Sequence, residues 1–598
     1  MSDDASKSVS ELVSEVIQEF DEKSSTTKEE DEFAYLKNGF TQENFKIEVK
    51  NLPRHYGAQS LKKFLSDKIK CNPGKVKMIR PGHHFCFVCF RNEEDREKAI
   101  PMINGYQWKG KTLEAVKSTP VPDPMVRKRN RDNQQGGNAT KKQKTLVEST
   151  TPLAHLPYEE QLKQKQDEVK KLLHDFSNQF WKASPAKRKW IEEQRKLNDG
   201  VIFQLENIKA SPAIDGYRNK CEFSIGKDST GKVTIGQRFG SYFDGTVEVG
   251  PLDDLKHISK EMKNIAKIFE KFLEQSDLPI FNQESHEGHW KLLMVRQSFS
   301  TGEIMLSIGL EMQDLTSEAF DKTKQQIIDF FTSGDGKSAN VTSIYYQILK
   351  KRAPGETFLP FTHLWGSEYI TDEILGFKFR ISPASFFQTN SAAAEVLYQK
   401  LIDLGKLDKN KTTLLDVCCG IGTIGLCLSK HCKRVLGVEI IEEAIKDANF
   451  NAEANNVENC SFTCANSDDW IKSIVKGECQ NEEDVVAIVD PPRPGLHDRS
   501  IYQLRNSEKI KKLIYVSCSP KSVFKNLIDL CRPRSKALSG NPFTPKYGVA
   551  VDMFPHTAHM ELVLVFERDS DEPEKVVEDT KVDKNEEMAD EKMEKSDE

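Results

Sequence analysis

The sequence lacks two features that would each place it in a large class of proteins. No run of 18 apolar residues occurs anywhere in its 598 residues, and no apolar stretch follows a basic segment near the start. A membrane-spanning helix needs about 20 apolar residues, and a secretory signal needs the second pattern. We therefore expect neither a membrane protein nor a secreted one.

The cysteines lack the order of a disulfide or metal framework. Thirteen are scattered along the chain, and only Cys221 lies between residues 119 and 410. Cys86 and Cys89 have CxxC spacing, but they fall in an apolar run that predicts a strand, where side chains three residues apart point to opposite faces. We expect free thiols, no metal site and a reducing compartment, either the cytosol or the nucleus.

The charge of the chain is small in total but unevenly distributed. The formal net charge is −6, yet residues 1–44 carry −8 and residues 567–598 carry −9, which leaves about +11 on the body between them. Both acidic tails have the composition of disordered segments. The basic body indicates a polyanion-binding protein, and the tails either limit indiscriminate binding or only keep the protein soluble.

The length predicts about three globular units, and the first of them covers residues 45–118. Its pattern is βαββαβ. Strands are predicted at 45–52, 76–80, 85–91 and 112–117, and helices at 58–69 and 93–103. This segment resembles an RNA recognition motif.

Two short segments carry that resemblance. HFCFVCF (84–90) resembles the RNP1 strand of the motif, and IEVKNL (47–52) resembles RNP2. The resemblance implies that Phe85 and Phe87 stack on RNA bases from the open face of the sheet. Glu48 stands where RNP2 has an aromatic residue, and such a carboxylate repels phosphate. A protein-docking surface therefore stays open as the alternative.

The middle of the chain divides into a linker and a second unit. Residues 119–151 form a basic linker whose clusters RKR (127–129) and KKQK (141–144) fit either a nuclear-localisation signal or a phosphate-binding arm. Residues 152–380 begin with an amphipathic helix predicted at 158–180 and continue as mixed strands and helices. We interpret them as one α+β domain that binds RNA.

Residues 381–566 alternate between strands rich in Val, Ile and Leu and helices. This alternation predicts an α/β Rossmann-like domain, a doubly wound parallel sheet covered on both faces. LLDVCCGIGT (414–423) joins the first strand to its helix, where glycines such as Gly420 let a ligand approach the backbone. Glu439 ends the next strand, 23 residues after Asp416, a spacing that suits an acid bound to ribose hydroxyls.

That loop alone fits either a nicotinamide cofactor or S-adenosylmethionine. DPPR (490–493) at a later strand end favours S-adenosylmethionine and nucleobase methylation, and Arg493 is placed to hold a base edge or a phosphate. Cys518 follows another strand, within VSCSP (516–520). Because the carboxyl ends of parallel strands meet at one edge, we expect Asp490 and Cys518 to share a crevice.

A thiol at this place has a specific use if the substrate is uracil. Uracil C5 is a poor nucleophile until a thiolate adds to C6, and a base must then remove the C5 proton. Glu561, in HME (559–561) before the last strand, is the candidate base. A stacked base is out of reach, so the uridine must be flipped or single-stranded.

The ordered set of motifs resembles the RNA uracil-C5 methyltransferase family over about residues 200–566. The matching segments are SFFQTN (385–390), 416–422, 490–495, SCSP (517–520) and FPHTAHME (554–561). The resemblance implies a T-loop uridine of tRNA as substrate, Cys518 as nucleophile and Glu561 as proton acceptor. It also implies a set of contacts to S-adenosylmethionine, namely Gln388, the backbone around Cys418 and Gly420, Glu439 and Asp490.

Some family members hold an iron–sulfur cluster on four cysteines of the central region, which Cys221 alone cannot build. We expect a monomer without such a cluster. Two other functions stay open, an RNA-binding protein or chaperone with a vestigial catalytic half and an RNA cytosine-C5 methyltransferase. The intact set of Cys518, Glu561 and Asp490 speaks against the first, and the lack of a cysteine in DPPR speaks against the second.

Overall fold

The computed structural model describes residues 43–53, 56–79, 83–121, 144–240, 246–349, 359–536 and 538–568. The acidic tails, the RKR cluster and most of the KKQK cluster lie outside the described residues. Among the helices of the described segments, none is long and apolar enough to cross a bilayer.

The first unit is a four-stranded antiparallel sheet in the order β2-β3-β1-β6. Its elements are β1 (Lys46–Lys50), α1 (Ala58–Phe64) with a π-helical turn (Leu65–Ile69), β2 (Lys75–Met78), β3 (Cys86–Cys89), α2 (Glu93–Ile103), the hairpin β4 (Gln107–Trp108) and β5 (Lys111–Thr112), and β6 (Glu114–Lys117). The predicted βαββαβ unit is confirmed, with the small hairpin as an addition before the last strand.

Between the first unit and the central sheet lie three helices and a short strand. They are α3 (Leu146–Thr150), α4 (Tyr158–Ala183), α5 (Arg188–Leu197) and β7 (Gln204–Leu205). The long helix α4 places Val169, Leu173, Phe176 and Phe180 on one buried face, at the spacing of 3 and 4 residues that an amphipathic helix requires.

The central unit is a seven-stranded sheet in the order β10-β9-β8-β11-β12-β13-β14. Its elements are β8 (Lys220–Lys227), β9 (Val233–Arg238), β10 (Val249–Gly250), α6 (Lys260–Gln275), β11 (Trp290–Gln297), β12 (Ile304–Leu310), α7 (Ser317–Thr332), β13 (Ser343–Ile348) and β14 (Thr362–Gly366). Only β12 and β13 pair in parallel, because the connection between them contains helix α7 and is long enough for a crossover.

The C-terminal unit is built on an eight-stranded sheet in the order β19-β18-β17-β20-β21-β23-β22-β7. A hairpin and a helix precede it, namely β15 (Ile370–Ile374), β16 (Phe377–Ile381) and α8 (Ser391–Gly405). The alternating part comprises β17 (Thr412–Val417), α9 (Thr423–Leu428), β18 (Arg434–Glu439), α10 (Glu442–Ala454), β19 (Cys460–Cys464), α11 (Ser467–Lys476), β20 (Asp484–Val489), α12 (Asp498–Asn506), β21 (Ile510–Ser517), α13 (Phe524–Cys531), β22 (Thr544–Val551) and β23 (Glu561–Glu567).

The two faces of this sheet belong to two different hydrophobic cores. Successive residues of one strand point into opposite cores, as with Leu414 and Leu415 of β17. Helices α8, α9 and α10 cover the first face, and helices α4, α5, α11, α12 and α13 cover the second. The predicted α/β class with both faces covered is confirmed.

The prediction of a wholly parallel sheet is wrong at its last strands. β23 runs antiparallel to both β21 and β22. The connection from β22 to β23 spans residues 552–560, which is shorter than the dozen or so residues that a parallel crossover needs. The sequence did not reveal β22, since Pro545 and Gly548 are residues that strands disfavour.

The cores also divide the chain differently from the predicted domain boundaries at residues 152 and 380. Helices α4 and α5 share a core with strands of the C-terminal sheet, and β7 pairs with β22 at its edge. The hairpin of β15 and β16 packs on the other face of that sheet. The chain therefore enters the C-terminal unit near residue 158, leaves it for the central sheet and returns near residue 370.

The packing of α4 gives a stability prediction. Phe176 is fully buried, and its ring centroid lies 5.6 Å from that of Phe524 on α13. We expect Phe176→Ala to lower the free energy of unfolding of the C-terminal unit by about 3–5 kcal/mol through lost burial and a cavity. Denaturant titration followed by tryptophan fluorescence measures it. Leu197→Ala, at a side chain 76% exposed, is the control, and equal stability of both variants would contradict this packing.

Candidate active site

The predicted chemical residues meet at the carboxyl edge of the C-terminal sheet. Glu439 ends β18, Cys418 follows β17, Asp490 follows β20 and Cys518 follows β21. These four strands are parallel neighbours in that order. The edge therefore presents the predicted cofactor residues at one end and the thiol at the other, with Asp490 between them.

The last strand brings Glu561 to the same edge. β23 pairs antiparallel with β21, and Ser517 lies opposite Leu562. Cys518 comes one residue after Ser517 and Glu561 one residue before Leu562, so the two occupy facing positions at the end of the ladder. Glu561 is the first residue of β23 and only 4% exposed. Its Oε2 atom has no hydrogen-bond partner within the described part of the chain.

The surroundings of Glu561 make its carboxylate a stronger base than an exposed one. Burial raises the pKa of Glu561 well above its usual range, and the nearby charge of Asp490 raises it further, while Arg493 opposes both. Burial also raises the pKa of Asp490 to about 6. A carboxylate with a raised pKa is better matched to proton abstraction near neutral pH.

The Cys518 thiol lies between opposing influences. Burial raises its pKa, and the Glu561 carboxylate raises it further, while a hydrogen bond from Arg493 lowers it. Arg493 was predicted to hold a base edge or a phosphate. Its side chain is exposed, and its guanidinium lies beside the thiol and the carboxylate. The arrangement joins a thiol, a buried carboxylate and a cation whose hydrogen bond favours the thiolate.

The loop after β17 begins with a buried acid. Asp416 is fully buried, and its Oδ2 atom accepts a hydrogen bond of 2.9 Å from the Gly425 backbone N–H. Burial raises the pKa of Asp416 to about 7, with smaller contributions from the Asp490 and Glu439 charges. Its Oδ1 atom lacks a hydrogen-bond partner among the described residues. Negative charge is thus concentrated at this end of the edge.

The backbone at Cys418 is less available to a ligand than the resemblance implies. The N–H groups of Cys418 and Cys419 both donate to the Val438 carbonyl at 3.0 Å. Cys418 has φ of +66°, the left-handed conformation that turns the chain at this point. The N–H of Cys418 is therefore engaged, and a cofactor contact at this residue stays a prediction.

Glu439 is held in place by backbone donors. Its Oε2 atom accepts from the Gly420 N–H at 3.3 Å, and its Oε1 atom accepts from Ile440 and Ile441 at 2.8 and 3.1 Å. Gly420 has φ of +56°, and a Cβ atom added there would meet no atom within 4 Å. The left-handed conformation favours glycine at this position, and the space in front of it is open.

Gln388 lies on a buried loop between the central and C-terminal sheets. The Gln388 carbonyl accepts from Asn219 Nδ2 at 2.8 Å, and Asn390 Nδ2 donates to the Met553 carbonyl at 3.2 Å. Neighbouring Phe387 shares a core with Cys419 of the cofactor-side loop. The loop is thus fixed beside the site, and the role of the Gln388 carboxamide stays a prediction.

Sequence reasoning missed the polar residues of helix α4. Tyr158, Gln161 and Lys165 all contact the segment that joins β22 to β23 and leads to Glu561. The helix was predicted from its apolar residues alone. A signal was present in Gln161 and Lys165, whose spacing places them on the same face as Val169 and Phe176.

The predicted RNA platform is also formed. Phe85 and Phe87 alternate with the fully buried Cys86 and Val88, so their rings lie on the open face of the first sheet, 5.8 Å apart. Glu48 pairs directly with Phe87 across β1 and β3. Platform and carboxylate are therefore adjacent, and RNA binding there stays a prediction.

Within the described segments, no group of three or more His, Cys, Asp or Glu side chains could hold a metal ion.

Comparisons with known proteins match two parts of the chain to families. A family profile described as tRNA (Uracil-5-)-methyltransferase matches residues 367–569, and one for the RNA recognition motif matches residues 47–114. A solved structure, the Pyrococcus abyssi tRNA (uracil-54, C5)-methyltransferase in complex with S-adenosyl-L-homocysteine, aligns with a TM-score of 0.49 and 24% identity over 77% of this chain and 91% of that one.

Two curated relatives cover most of the chain. The Mus musculus tRNA (uracil-5-)-methyltransferase homolog A is 38% identical over 90% of this chain and 87% of its own length. The Danio rerio tRNA (uracil-5-)-methyltransferase homolog B is 37% identical over 71% of this chain and 86% of its own length. By its sequence from the RNA recognition motif to the last strand, the chain belongs to the tRNA (uracil-5-)-methyltransferase family.

Proposed function

We propose that this chain methylates C5 of a uridine in the T-loop of tRNA through a covalent adduct between Cys518 and uracil C6. One observation carries the proposal. Cys518 and the buried Glu561 lie one residue beyond the Ser517–Leu562 pair of β21 and β23, and the Glu561 charge raises the pKa of the thiol. A nucleophile for C6 and a base for the C5 proton are the two groups that alkylation of uracil C5 requires.

The residues at the cofactor end fit S-adenosylmethionine. Its sulfonium and ammonium groups are positive, and the edge presents three acids, Asp416, Glu439 and Asp490. Burial and the charges of Asp490 and Glu439 raise the pKa of Asp416. A cationic ligand relieves that repulsion. Glu439 would hold the ribose hydroxyls. Ile440 and Ile441, 64% and 53% exposed, offer apolar surface beside it for a flat ring. When bound, the cofactor supplies an electrophilic methyl group to C5.

The protein side chains account for the remaining steps. The Cys518 thiolate, stabilised by Arg493, forms a bond to uracil C6, and the electron pair of the C5–C6 double bond moves toward C5 and the O4 carbonyl. After C5 has gained the methyl group, Glu561 removes the C5 proton. The electron pair of that C–H bond restores the double bond, and the C6–S bond breaks to release the thiolate.

The first prediction separates the two chemical residues. We expect Cys518→Ala to abolish formation of 5-methyluridine in tRNA, since it removes the thiolate that would add to C6. We expect Glu561→Gln to allow addition and methylation but not proton removal, so that a protein–RNA adduct accumulates and survives a denaturing gel. Nucleoside analysis and the gel measure these outcomes. Appreciable 5-methyluridine from Cys518→Ala, or loss of turnover in Glu561→Gln without an adduct, would contradict the assigned roles.

The second prediction concerns the charge beside the thiol. Because the hydrogen bond from Arg493 lowers the pKa of Cys518, Arg493→Met removes that effect and raises the thiol pKa. The thiolate then forms only at higher pH, so the rising limb of the pH–rate profile in single-turnover methylation moves to higher pH. Lys521→Met, which removes an exposed charge three residues from Cys518, is the control. Equal profiles for the two variants would show that Arg493 does not act on the thiol.

The third prediction concerns the RNA recognition motif. Stacking contributes roughly 1–3 kcal/mol per base. We expect Phe85→Ala with Phe87→Ala to weaken tRNA affinity by about the smaller end of that range, because Glu48 lies opposite Phe87. The rate at saturating tRNA should persist, since the chemical residues lie in another unit.

Filter binding and steady-state rates measure these effects. Tyr106→Ala is the control, because this aromatic side chain packs against Phe64 of helix α1, away from the open face. Unchanged tRNA affinity in the double variant would identify the unit as a protein-docking module.

A further inference from the structure

Three polar side chains on one face of helix α4 contact the segment 552–560, which joins β22 to β23. Tyr158, Gln161 and Lys165 are spaced by 3 and 4 residues, the interval that aligns side chains along a helix. The segment ends at Glu561, and β22 and β23 close it by pairing Val551 with Glu561. One face of helix α4, more than 380 residues away in sequence, therefore contacts the segment that leads to Glu561.

Lys165 is the centre of these contacts. It is 1% exposed, and its ammonium donates to Asp552 Oδ1 at 2.6 Å, to the Phe554 carbonyl at 3.0 Å and to the His559 carbonyl at 3.1 Å. These bonds use all three donors of a lysine. Burial lowers the pKa of Lys165, and the Asp552 carboxylate opposes that change. One cation thus holds the beginning, the middle and the end of the segment.

Asp552 and Gln161 make further hydrogen bonds that hold the same segment in place. Asp552 is fully buried and also accepts from the Phe554 N–H and from the Tyr158 hydroxyl, both at 3.1 Å. Gln161 accepts from the His556 N–H at 2.8 Å, and its Nε2 atom contacts His556 Nδ1 at 3.2 Å. His556 has φ of +69°, a conformation that persists only where surrounding contacts determine it.

We propose that Lys165, paired with Asp552, is a positioning residue that holds Glu561 in place for removal of the C5 proton. The inference rests on the proposed function, since it assigns the base role to Glu561. Lys165 does not touch the reacting atoms. It acts through the His559 carbonyl, two residues before Glu561, and through the start of the same segment. A buried ion pair of this kind adds little stability compared with apolar residues of equal size. We therefore assign the Lys165–Asp552 pair to holding the segment 552–560 in one conformation.

The test uses two charge-matched changes in the full-length protein. Lys165→Met alone would leave Asp552 buried without its partner, so it is combined with Asp552→Asn, which keeps an acceptor for the Phe554 N–H and presents an N–H donor to the Tyr158 hydroxyl. We expect this double variant to keep the melting temperature and tRNA affinity of the wild type. Its turnover should fall on the order of tenfold to hundredfold, and the protein–RNA adduct should accumulate, because proton removal slows while addition does not.

A second variant and a control make the test decisive. Lys165→Arg keeps the charge beside Asp552, but a planar guanidinium cannot reproduce the three diverging N–H directions, so it should fold and also accumulate the adduct. Lys163→Met removes an exposed lysine of the same helix and should behave as wild type. Wild-type turnover and adduct level in either folded Lys165 variant would overturn the proposal.

Glu561→Gln in parallel distinguishes this inference from the proposed function. If Glu561→Gln accumulates the adduct and the Lys165 variants do not, the positioning role is wrong and the covalent mechanism stands. If Glu561→Gln loses turnover without any adduct, the base role of Glu561 fails, and the positioning role fails with it.

Discussion

The antiparallel pairing of β23 with β21 sets the geometry on which the site depends. Parallel strands deliver Asp490 and Cys518 to one edge of the sheet, and only a strand of opposite direction can bring its first residue, Glu561, to that edge. The register matters as much as the direction. A slip of one residue would turn Glu561 to the other face of the sheet and bury Leu562 or Met560 in its place. The register between Ser517 and Leu562 therefore fixes which carboxylate meets the thiol.

The second constraint is the cost of burying acids together. Asp416 and Glu561 each keep a carboxylate oxygen without a hydrogen-bond partner among the described residues, and unpaired buried oxygens destabilise a fold. Such groups persist where function uses them. In the proposed mechanism one lies at the end of the sheet edge that would hold the cationic cofactor, and the other would accept the C5 proton. A catalytic half without activity would have no reason to retain both, which is the strongest structural argument against an RNA chaperone with a vestigial enzyme.

Local sequence patterns predicted much of the fold and which candidate site residues lie at the same edge of the sheet. Helix α2 has the predicted bounds, and the strand ends before Cys418, Asp490 and Cys518 lie where apolar runs stop. Residues at such ends meet by the topology of an α/β sheet, so Glu439, Asp490 and Cys518 could be grouped without coordinates. The hydrogen bond from the Gly420 N–H to the Glu439 carboxylate could not be foreseen in detail, although both residues were predicted to contact the same ligand.

What the sequence could not supply depends on contacts between distant segments. The bond from Lys165 to Asp552 joins positions 387 residues apart, and no periodicity within helix α4 reports it. The direction of β23 follows from the short length of its connection to β22. The sequence did not predict β22, because Pro545 and Gly548 are residues that strands disfavour. The sequence also does not show which sheet helix α4 covers, because its amphipathic pattern would be the same on any sheet.

The most direct test of the covalent mechanism is to trap the adduct on a substrate that cannot complete the reaction. Transfer RNA containing 5-fluorouridine has fluorine where Glu561 would remove a proton, so the methylated adduct cannot be released. Incubation with S-adenosylmethionine, digestion and mass spectrometry identify the attached residue. The account predicts a methylated fluorouridine nucleotide on the peptide that contains Cys518. Attachment to another cysteine, or methylated product without any adduct, would contradict it.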